Sequence, residues 1–367
     1  MTGPWLLYGA YGFTGELIAR RALEAGMAPV LSGRDAGKVR ALAAELGLEA
    51  RPADLADAAG LRAALSGMDA VVHAAGPFVR TWRPMAEACL AAGTHYLDIT
   101  GEIEALEGLA SLDGRAREAG VALIPAVGFD VVPTDCLSAR LARVLPEAVR
   151  LEIAFESDGT PSSGTARGMV QSLERPPLER RGGEIRPIEG GVGAVRVPFS
   201  DGERTGVPVS WGDVATAWHS TDIPDIRTYM VVPEGLAAWY RRLVAIRPLL
   251  APRPVRAALE WIVARVVSDP DPGQGSCRVW AQVRTAGGRS ASGELATPGG
   301  YAFTAASAAA AVRELLGEGP AGRAGGEAGA ASRDDPPRSG FLTPSMAFGP
   351  GFVDRIEGTR WIRRPEG

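Results

Sequence analysis

The chain has 367 residues, 46% of them hydrophobic, enough for about two domains of roughly 150 residues each. A formal net charge of −4 gives no whole-chain attraction to nucleic acid. Cys89, Cys136 and Cys277 are distant and odd in number, which argues against a disulfide framework and a zinc site; no leader or long apolar run is seen, so a cytoplasmic protein without a membrane span is expected.

The first element is the stretch WLLYGAYGFTG. Trp5, Leu6, Leu7 and Tyr8 run into Gly9, Gly12 and Gly15, and ELIARRALEAG follows. This reads as a strand, a tight turn and a helix. A phosphate needs backbone N–H groups it can approach closely, and a helix N-terminus adds partial positive charge. Gly9 permits the turn, Gly12 the close approach and Gly15 the packing of helix on strand, with Ala10, Tyr11, Phe13 and Thr14 completing the loop. GxxGxxG spacing, rather than GxGxxG, is a variant associated with nucleotide-binding domains that often take NADP.

Ala28 to Arg34 reads as a second strand, and DAGKVRALAAEL as a helix with Asp35 at its N-cap. At this strand end an acidic residue would bind the adenosine ribose hydroxyl, whereas an arginine accommodates a 2′-phosphate. Ser32, Gly33 and Arg34 stand there, with Lys38 one helical turn on, which favours NADP over NAD. The alternative gives the ribose to Asp35 and makes the ligand NAD.

LEARPADL predicts a third strand ending at Asp54, DAAGLRAALSG a helix, and MDAVVHAAGPF a fourth strand closing on Ala75, Gly76 and Pro77, small residues against which a ribose can lie. His73, inside that apolar strand, reads as a satisfied core histidine. Trp82 to Ala92 is the next helix. THYLDITGE gives a fifth strand and a loop carrying Tyr96, Asp98, Thr100 and Glu102, which either face the nicotinamide side of the sheet edge or, for Thr100 and Glu102, cap the following helix. VALIPAVGFDVVPTDCLSARLA supplies a sixth strand, a loop at Gly128 to Pro133 and a helix from near Thr134, where Asp135 reads as a dipole partner. Tyr96, Asp98 and Asp130 are the catalytic candidates, as proton donors; no YxxxK pair exists, since Lys38 is the only lysine.

GAYGFTG, SGR, HAAGPF, HYLDITGE and PAVGFDVVPTD, in this order and spacing, resemble the saccharopine dehydrogenase-like oxidoreductases, especially the bacterial branch of trans-acting enoyl reductases. SSGTARGMVQSLE, VSWGDVATAWHSTDIPDIRTYM and FLTPSMAFGPGF extend the resemblance. The resemblance implies an α/β protein: a Rossmann-type doubly wound parallel sheet over residues 1–147, a second α+β domain for substrate or dimerisation over 148–316, and a segment at 341–367 that returns to the first. It also implies NADP-dependent hydride transfer to or from a C=C or C=N bond of an apolar, acyl-type substrate. Competing expectations are a non-catalytic NADP-binding partner and a membrane-surface docking protein, with homodimer formation compatible with each.

In the second half, Val149 to Phe155 opens a mixed or antiparallel sheet, with further strands at 193–199, 226–232, 276–285 and 290–296. Ser162 to Glu174 reads as a capped helix. Trp211, Asp213, Trp218, His219 and Thr221 suit either a substrate pocket or a core. Leu236 to Val267 is arginine-rich and amphipathic, fitting a packed bundle or a surface for anionic lipid or an acyl carrier. An imine substrate bearing carboxylates would find Arg167 and Arg196 nearest. Ala305 to Leu316 reads as an alanine-rich helix, and 317–340 as a disordered low-complexity loop.

Overall fold

The computed structural model describes residues 3–159, 176–188, 193–235, 275–317 and 339–365, with Val255, Ala258, Trp261 and Asp271 besides. The chain divides into two compact units, Met1–Cys136 with Tyr301–Thr359, and Leu137–Gly300 with Arg360–Gly367. Residues 301–316 therefore fall in the first unit, where the sequence reading had grouped them with the second.

The first unit is built on a six-stranded parallel sheet of β1 (Trp5–Tyr8), β2 (Val30–Ser32), β3 (Ala70–His73), β4 (His95–Asp98), β5 (Ala122–Ile124) and β14 (Gly340–Phe341), in the order β14-β5-β4-β3-β1-β2. WLLY and AVVH are buried at every position, as strands covered on both faces must be. The covering helices are α1 (Phe13–Glu24), α2 (Ala36–Leu46), α3 (Ala58–Leu65), α4 (Phe78–Ala92), α5 (Ile103–Ala110) and α6 (Asp113–Glu118). One core joins Tyr8, Leu61, Met85, Tyr96, Leu109 and Phe341.

No strand ends at Asp54. Beside β2 only the bridge Leu31↔Ala50 forms: Leu31 N–H donates to the Glu49 carbonyl (2.8 Å), Arg51 N–H to the Leu31 carbonyl (2.9 Å) and Ala53 N–H to the Gly33 carbonyl (3.2 Å), so the stretch runs along β2 without becoming a strand of the sheet. The strand expected fourth is thus the third. α4 starts at Phe78 rather than Trp82 and runs through Pro84, and α7 (Val132–Val144) starts two residues before Thr134. In α9 (Gly300–Leu315) small residues pack at close range: Ala308 and Ala311 are fully buried. The first sheet receives its last strand from far along the chain, where Leu342 N–H donates to the Leu123 carbonyl (2.9 Å) and Phe341 N–H to Asp113 Oδ1 (2.8 Å).

The second unit holds a nine-stranded mixed sheet. Its path is β15-β13-β12-β6-β11-β10-β9, with β7 and β8 branching from β11. The strands are β6 (Ala148–Ser157), β7 (Leu178–Arg181), β8 (Glu184–Pro187), β9 (Val195–Phe199), β10 (Gly202–Pro208), β11 (Asp225–Val231), β12 (Ser276–Thr285), β13 (Ser290–Pro298) and β15 (Arg360–Arg363). Among the described strands only β6 and β11 pair in parallel. Trp211 stacks on Phe155 at 4.0 Å, and Trp218 of α8 (Asp213–Thr221) lies under the Arg180 guanidinium at 5.4 Å. Both tryptophans are half-buried. Arg196 is paired with Glu234 at 2.6 Å. The expected helix at 162–174 with Arg167, the arginine-rich stretch 236–267 apart from Val255, Ala258 and Trp261, and the loop residues 318–338 lie outside the described residues.

Candidate functional site

In the first sheet β1 leads to β2 on one side and β3 lies on the other, so the strand order reverses at β1. Ligands of open α/β sheets lie at such a reversal, beyond the carboxyl ends of the strands. The glycine turn stands at this point. Gly9, at φ 84°, and Ala10 donate their N–H groups to the Ser32 carbonyl at 2.9 and 3.1 Å, and Gly12 N–H closes the turn on the Gly9 carbonyl at 3.0 Å. A Cβ on Gly9 would meet Ala74 C and Ala75 N at 2.9 Å, and one on Gly15 would meet the Gly9 carbonyl oxygen at 2.2 Å. A Cβ on Gly12 would meet only the Gly9 oxygen, at 3.2 Å. Two glycines are thus required by packing, and the third leaves its Cβ position to a ligand.

The helix starts around this edge differ in what fills them. α2 is capped by Asp35, which accepts from Lys38 N–H at 3.1 Å, and α3 by Asp57, which accepts from Ala59 and Gly60 N–H at 3.1 and 3.0 Å. α4 is capped by Glu102 from another loop, its two oxygens accepting from Phe78 and Val79 N–H, each at 2.8 Å. α1 begins at Gly12 with no side-chain cap. Its first amides, on Phe13, Thr14 and Gly15, have no acceptor within the helix. A pyrophosphate fits them, and Gly12 leaves the approach open. Thr14 and Phe13 are half-buried, and the Phe13 ring meets Tyr301 edge-on at 5.1 Å.

At the end of β2, Gly33 (φ 155°) lies against Tyr11, whose ring carbon would stand 2.8 Å from a Cβ there. Asp35 N–H reaches the Tyr11 hydroxyl at 3.4 Å, and Lys38 Nζ sits 5.6 Å from the ring centroid. Arg34 is exposed, and among the described residues no carboxylate pairs with it. Asp35 has Oδ1 committed to its cap. An unpaired guanidinium beside a lysine fits a 2′-phosphate better than it fits a bare ribose hydroxyl. Ser32 behaves otherwise than expected: its hydroxyl is buried and donates to the Arg51 carbonyl at 2.6 Å, so it supports the turn from behind. Asp54 is exposed, with Oδ1 accepting from Ala56 N–H at 2.9 Å. It follows Ala53, whose carbonyl accepts from Tyr8 Oη at 3.1 Å.

Past β3, Ala75 is half-buried against Gly9, while Gly76 and Pro77 are exposed and joined by a cis peptide. His73 is buried as expected but is not satisfied. Neither ring nitrogen has a hydrogen-bond partner, and the ring lies among Tyr8, Phe78 and Tyr96 at centroid distances of 5.5, 5.4 and 6.3 Å. Burial there pushes its pKa down to about 3, so it is neutral.

The three catalytic candidates separate into a closed pair and an open carboxyl. Tyr96 and Asp98 are fully buried, with Tyr96 Oη donating to Asp98 Oδ2 at 2.6 Å. Asp98 Oδ1 accepts from Thr100 and Ala126 N–H at 2.9 and 2.8 Å. Burial raises the Asp98 pKa to about 6 against the opposing hydrogen bonds, and drives the Tyr96 phenol well above its ordinary range. Asp130 is half-buried and, among the described residues, makes no hydrogen bond or ion pair. Burial, with the nearby Glu102 charge, raises it to about 6. Thr100 Oγ1 accepts from Glu102 N–H at 3.0 Å, so Thr100 holds Glu102, and Glu102 caps α4 rather than the helix it precedes. Asp135 accepts from Ser345 N–H at 2.7 Å, a partner 210 positions away. The described residues contain no group of three or more metal-ligating side chains, and no described helix is long and apolar enough to cross a membrane.

Residues 5–124 match the family model described as saccharopine dehydrogenase NADP binding domain. The chain is similar to the trans-acting enoyl reductases of Mycobacterium bovis and Mycobacterium leprae, 36% identical to each over 138 residues, 35% of this chain and 33% of theirs. It thus spans about a third of the length of the curated relatives it matches. A saccharopine dehydrogenase (L-Glu forming) from Saccharomyces cerevisiae has the same fold, with a TM-score of 0.62 over 100% of both chains at 12% identity.

Proposed function

We propose, from an N-terminal domain that belongs to the saccharopine dehydrogenase NADP-binding family, that this protein is an NADP-dependent oxidoreductase. Its substrate is an apolar acyl-type molecule with a C=C bond, or a C=N bond in the related imine chemistry; the name of the mycobacterial relatives, trans-acting enoyl reductase, favours the enoyl case. The observation that carries the reading is the start of α1 at the glycine turn, whose first amides no side chain caps, together with an exposed Arg34 that pairs with no carboxylate among the described residues. In this reading the amides of Phe13, Thr14 and Gly15 hold the pyrophosphate, Arg34 and Lys38 hold the 2′-phosphate, and Tyr11 lines the adenosine side. Ala75, Gly76 and Pro77 border the ribose on the nicotinamide side.

Bound NADPH supplies the hydride. The chain's own task is to orient the acceptor and to deliver the matching proton, since hydride addition to one carbon leaves an electron pair on its neighbour. Asp130 is assigned that proton. It is the candidate whose carboxyl is neither saturated by hydrogen bonds nor fully enclosed, and it is held protonated to about pH 6. After transfer it is left as a carboxylate and is reprotonated by solvent.

Titration of NADPH and NADH against wild type and Arg34→Ala tests the cofactor assignment. NADPH is expected to weaken by about tenfold or more, the equivalent of one charge-assisted hydrogen bond, while NADH changes by less than about twofold. Equal losses for both would overturn the 2′-phosphate assignment. NADPH binding without oxidation by any enoyl thioester or cyclic imine would leave a cofactor-binding partner in place of an enzyme.

A further inference from the structure

We propose that Asp98 is a positioning residue: by gripping the amides of Thr100 and Ala126 it sets the two backbone segments between which the Asp130 carboxyl stands. This rests on the assignment of Asp130 as proton donor.

The argument begins from what does not hold Asp130. Among the described residues its carboxyl has no hydrogen-bond or ion-pair partner, so its place is dictated by its own main chain and by the surface it lies against. That surface is Gly101, where a Cβ would come within 2.5 Å of Asp130 Oδ2. Both sides of this contact lead back to one side chain. Gly101 follows Thr100, whose N–H is held by Asp98 Oδ1 at 2.9 Å. The loop bearing Asp130 begins at Ala126, whose N–H is held by the same oxygen at 2.8 Å, and the Asp98 carbonyl accepts from Val127 N–H at 2.8 Å.

Ala126 has φ 59°, a left-handed conformation that a residue with a Cβ keeps only where its surroundings impose it. Asp98 is what imposes it from one side. From the other, α9 pins the loop: Ser307 Oγ donates to the Val127 carbonyl at 2.6 Å, and Thr304 Oγ1 accepts from Phe129 N–H at 3.0 Å. Tyr96 completes the grip, because its hydroxyl at 2.6 Å fixes the carboxyl plane through Oδ2 and leaves Oδ1 for both amides. Asp98 and Tyr96 are fully buried and do not reach a substrate; their effect passes through the loop.

The test is a carbon-13 NMR titration of the full-length protein labelled at the aspartate carboxyl, with the Asp130 signal assigned by its loss in Asp130→Asn. In wild type the Asp130 signal is expected to titrate near 6. Asp98→Asn keeps an Oδ1 for both amides and turns an N–H to the Tyr96 oxygen, so Asp130 should still titrate near 6. Asp98→Ala frees both segments, and the Asp130 titration should fall toward the ordinary aspartate value of about 4. NADPH-dependent reduction of a crotonyl thioester should show the same split: kcat down by about a hundredfold in Asp98→Ala, with KM and NADPH affinity held, and largely recovered in Asp98→Asn. An Asp130 titration unmoved in Asp98→Ala, or an asparagine variant no better than alanine, overturns the proposal. If the alanine variant does not fold, Asp98→Ser, which keeps one short acceptor, is expected to move the titration in the same direction by less; no movement in it overturns the proposal equally. Full turnover in Asp130→Asn would end the proton-donor assignment, while the titration would still decide whether Asp98 sets the loop.

Discussion

Asp130 and His73 stand near the same sheet edge, and burial shifts them in opposite senses because one is charged when deprotonated and the other when protonated. For Asp130 the consequence is catalytic. The donor is protonated below about pH 6, so kcat for reduction should be flat below that value and fall toward tenfold per unit above it. Asp130→Asn should lower kcat by about 10²- to 10⁴-fold and leave NADPH affinity unchanged, measured by stopped-flow and fluorescence titration. For His73 the consequence is stability. Its folded pKa lies below the unfolded value, so the neutral ring's contribution is complete above about 6.5 and is lost as pH falls toward 3. His73→Phe should therefore gain on wild type as pH falls, by about 2 kcal/mol at pH 5, read from thermal midpoints at pH 5 and 7. Parallel acid curves for the two proteins would assign the sensitivity elsewhere. The raised aspartates act the opposite way, adding stability below about 4 that is lost as pH rises through 6. His73 was readable as a core residue because it interrupts an apolar run. That its nitrogens find no partner was not readable, since this depends on Tyr8, Phe78 and Tyr96 closing around it.

At the scale of elements, the strand-turn-helix around the glycines was legible because all its determinants lie within eleven consecutive residues. The roles of the glycines can be separated. Gly15→Ala pushes a Cβ to 2.2 Å from a backbone oxygen that cannot yield, and should cost roughly 1–3 kcal/mol together with NADPH binding. Gly12→Ala has only one near atom, at 3.2 Å, and should keep its melting temperature while losing NADPH affinity by about tenfold or more. Thermal denaturation paired with cofactor titration checks both. Elements whose determinants are distant were read less well. Glu102 reads as facing the nicotinamide side or as capping the helix it precedes, but it caps α4 across 24 positions, which no local spacing reveals. β7 was missed because LERR looks solvated, whereas Glu179 is buried against Arg227 and Arg180 is buried with its guanidinium on the Val214 and Gly183 carbonyls. LEARPADL reads as a strand because it does run along β2, but its pairing amounts to the single bridge Leu31↔Ala50.

Over the whole molecule, the α/β class and the second mixed sheet followed from alternating patterns, but the sheet edges did not. β14 has two residues and β15 is dominated by arginine, so neither carries a pattern of its own. Their importance lies in what they cover. A chain ending at Gly317 would lose the outer strand of each sheet, the Ser345 amide from Asp135 and the Arg355 partner of Glu314 at 2.9 Å. Removing one partner of a buried charge is costly, and two bare sheet edges invite pairing between molecules. This truncation should be recovered mainly as aggregate, judged by soluble yield and sedimentation velocity. A soluble, monomeric product that binds NADPH would show that the C-terminal strands are dispensable.

The late arrival of β14 also sets a timetable for synthesis. When Cys136 has been made, the first sheet still lacks its sixth strand, which is encoded about 200 residues further on. At translation speeds of about 5–20 residues per second, β5 stays uncovered on the nascent polypeptide for roughly ten to forty seconds. Through that interval the emerging chain carries an open sheet edge, and the first sheet is complete only once Gly340 and Phe341 have been made.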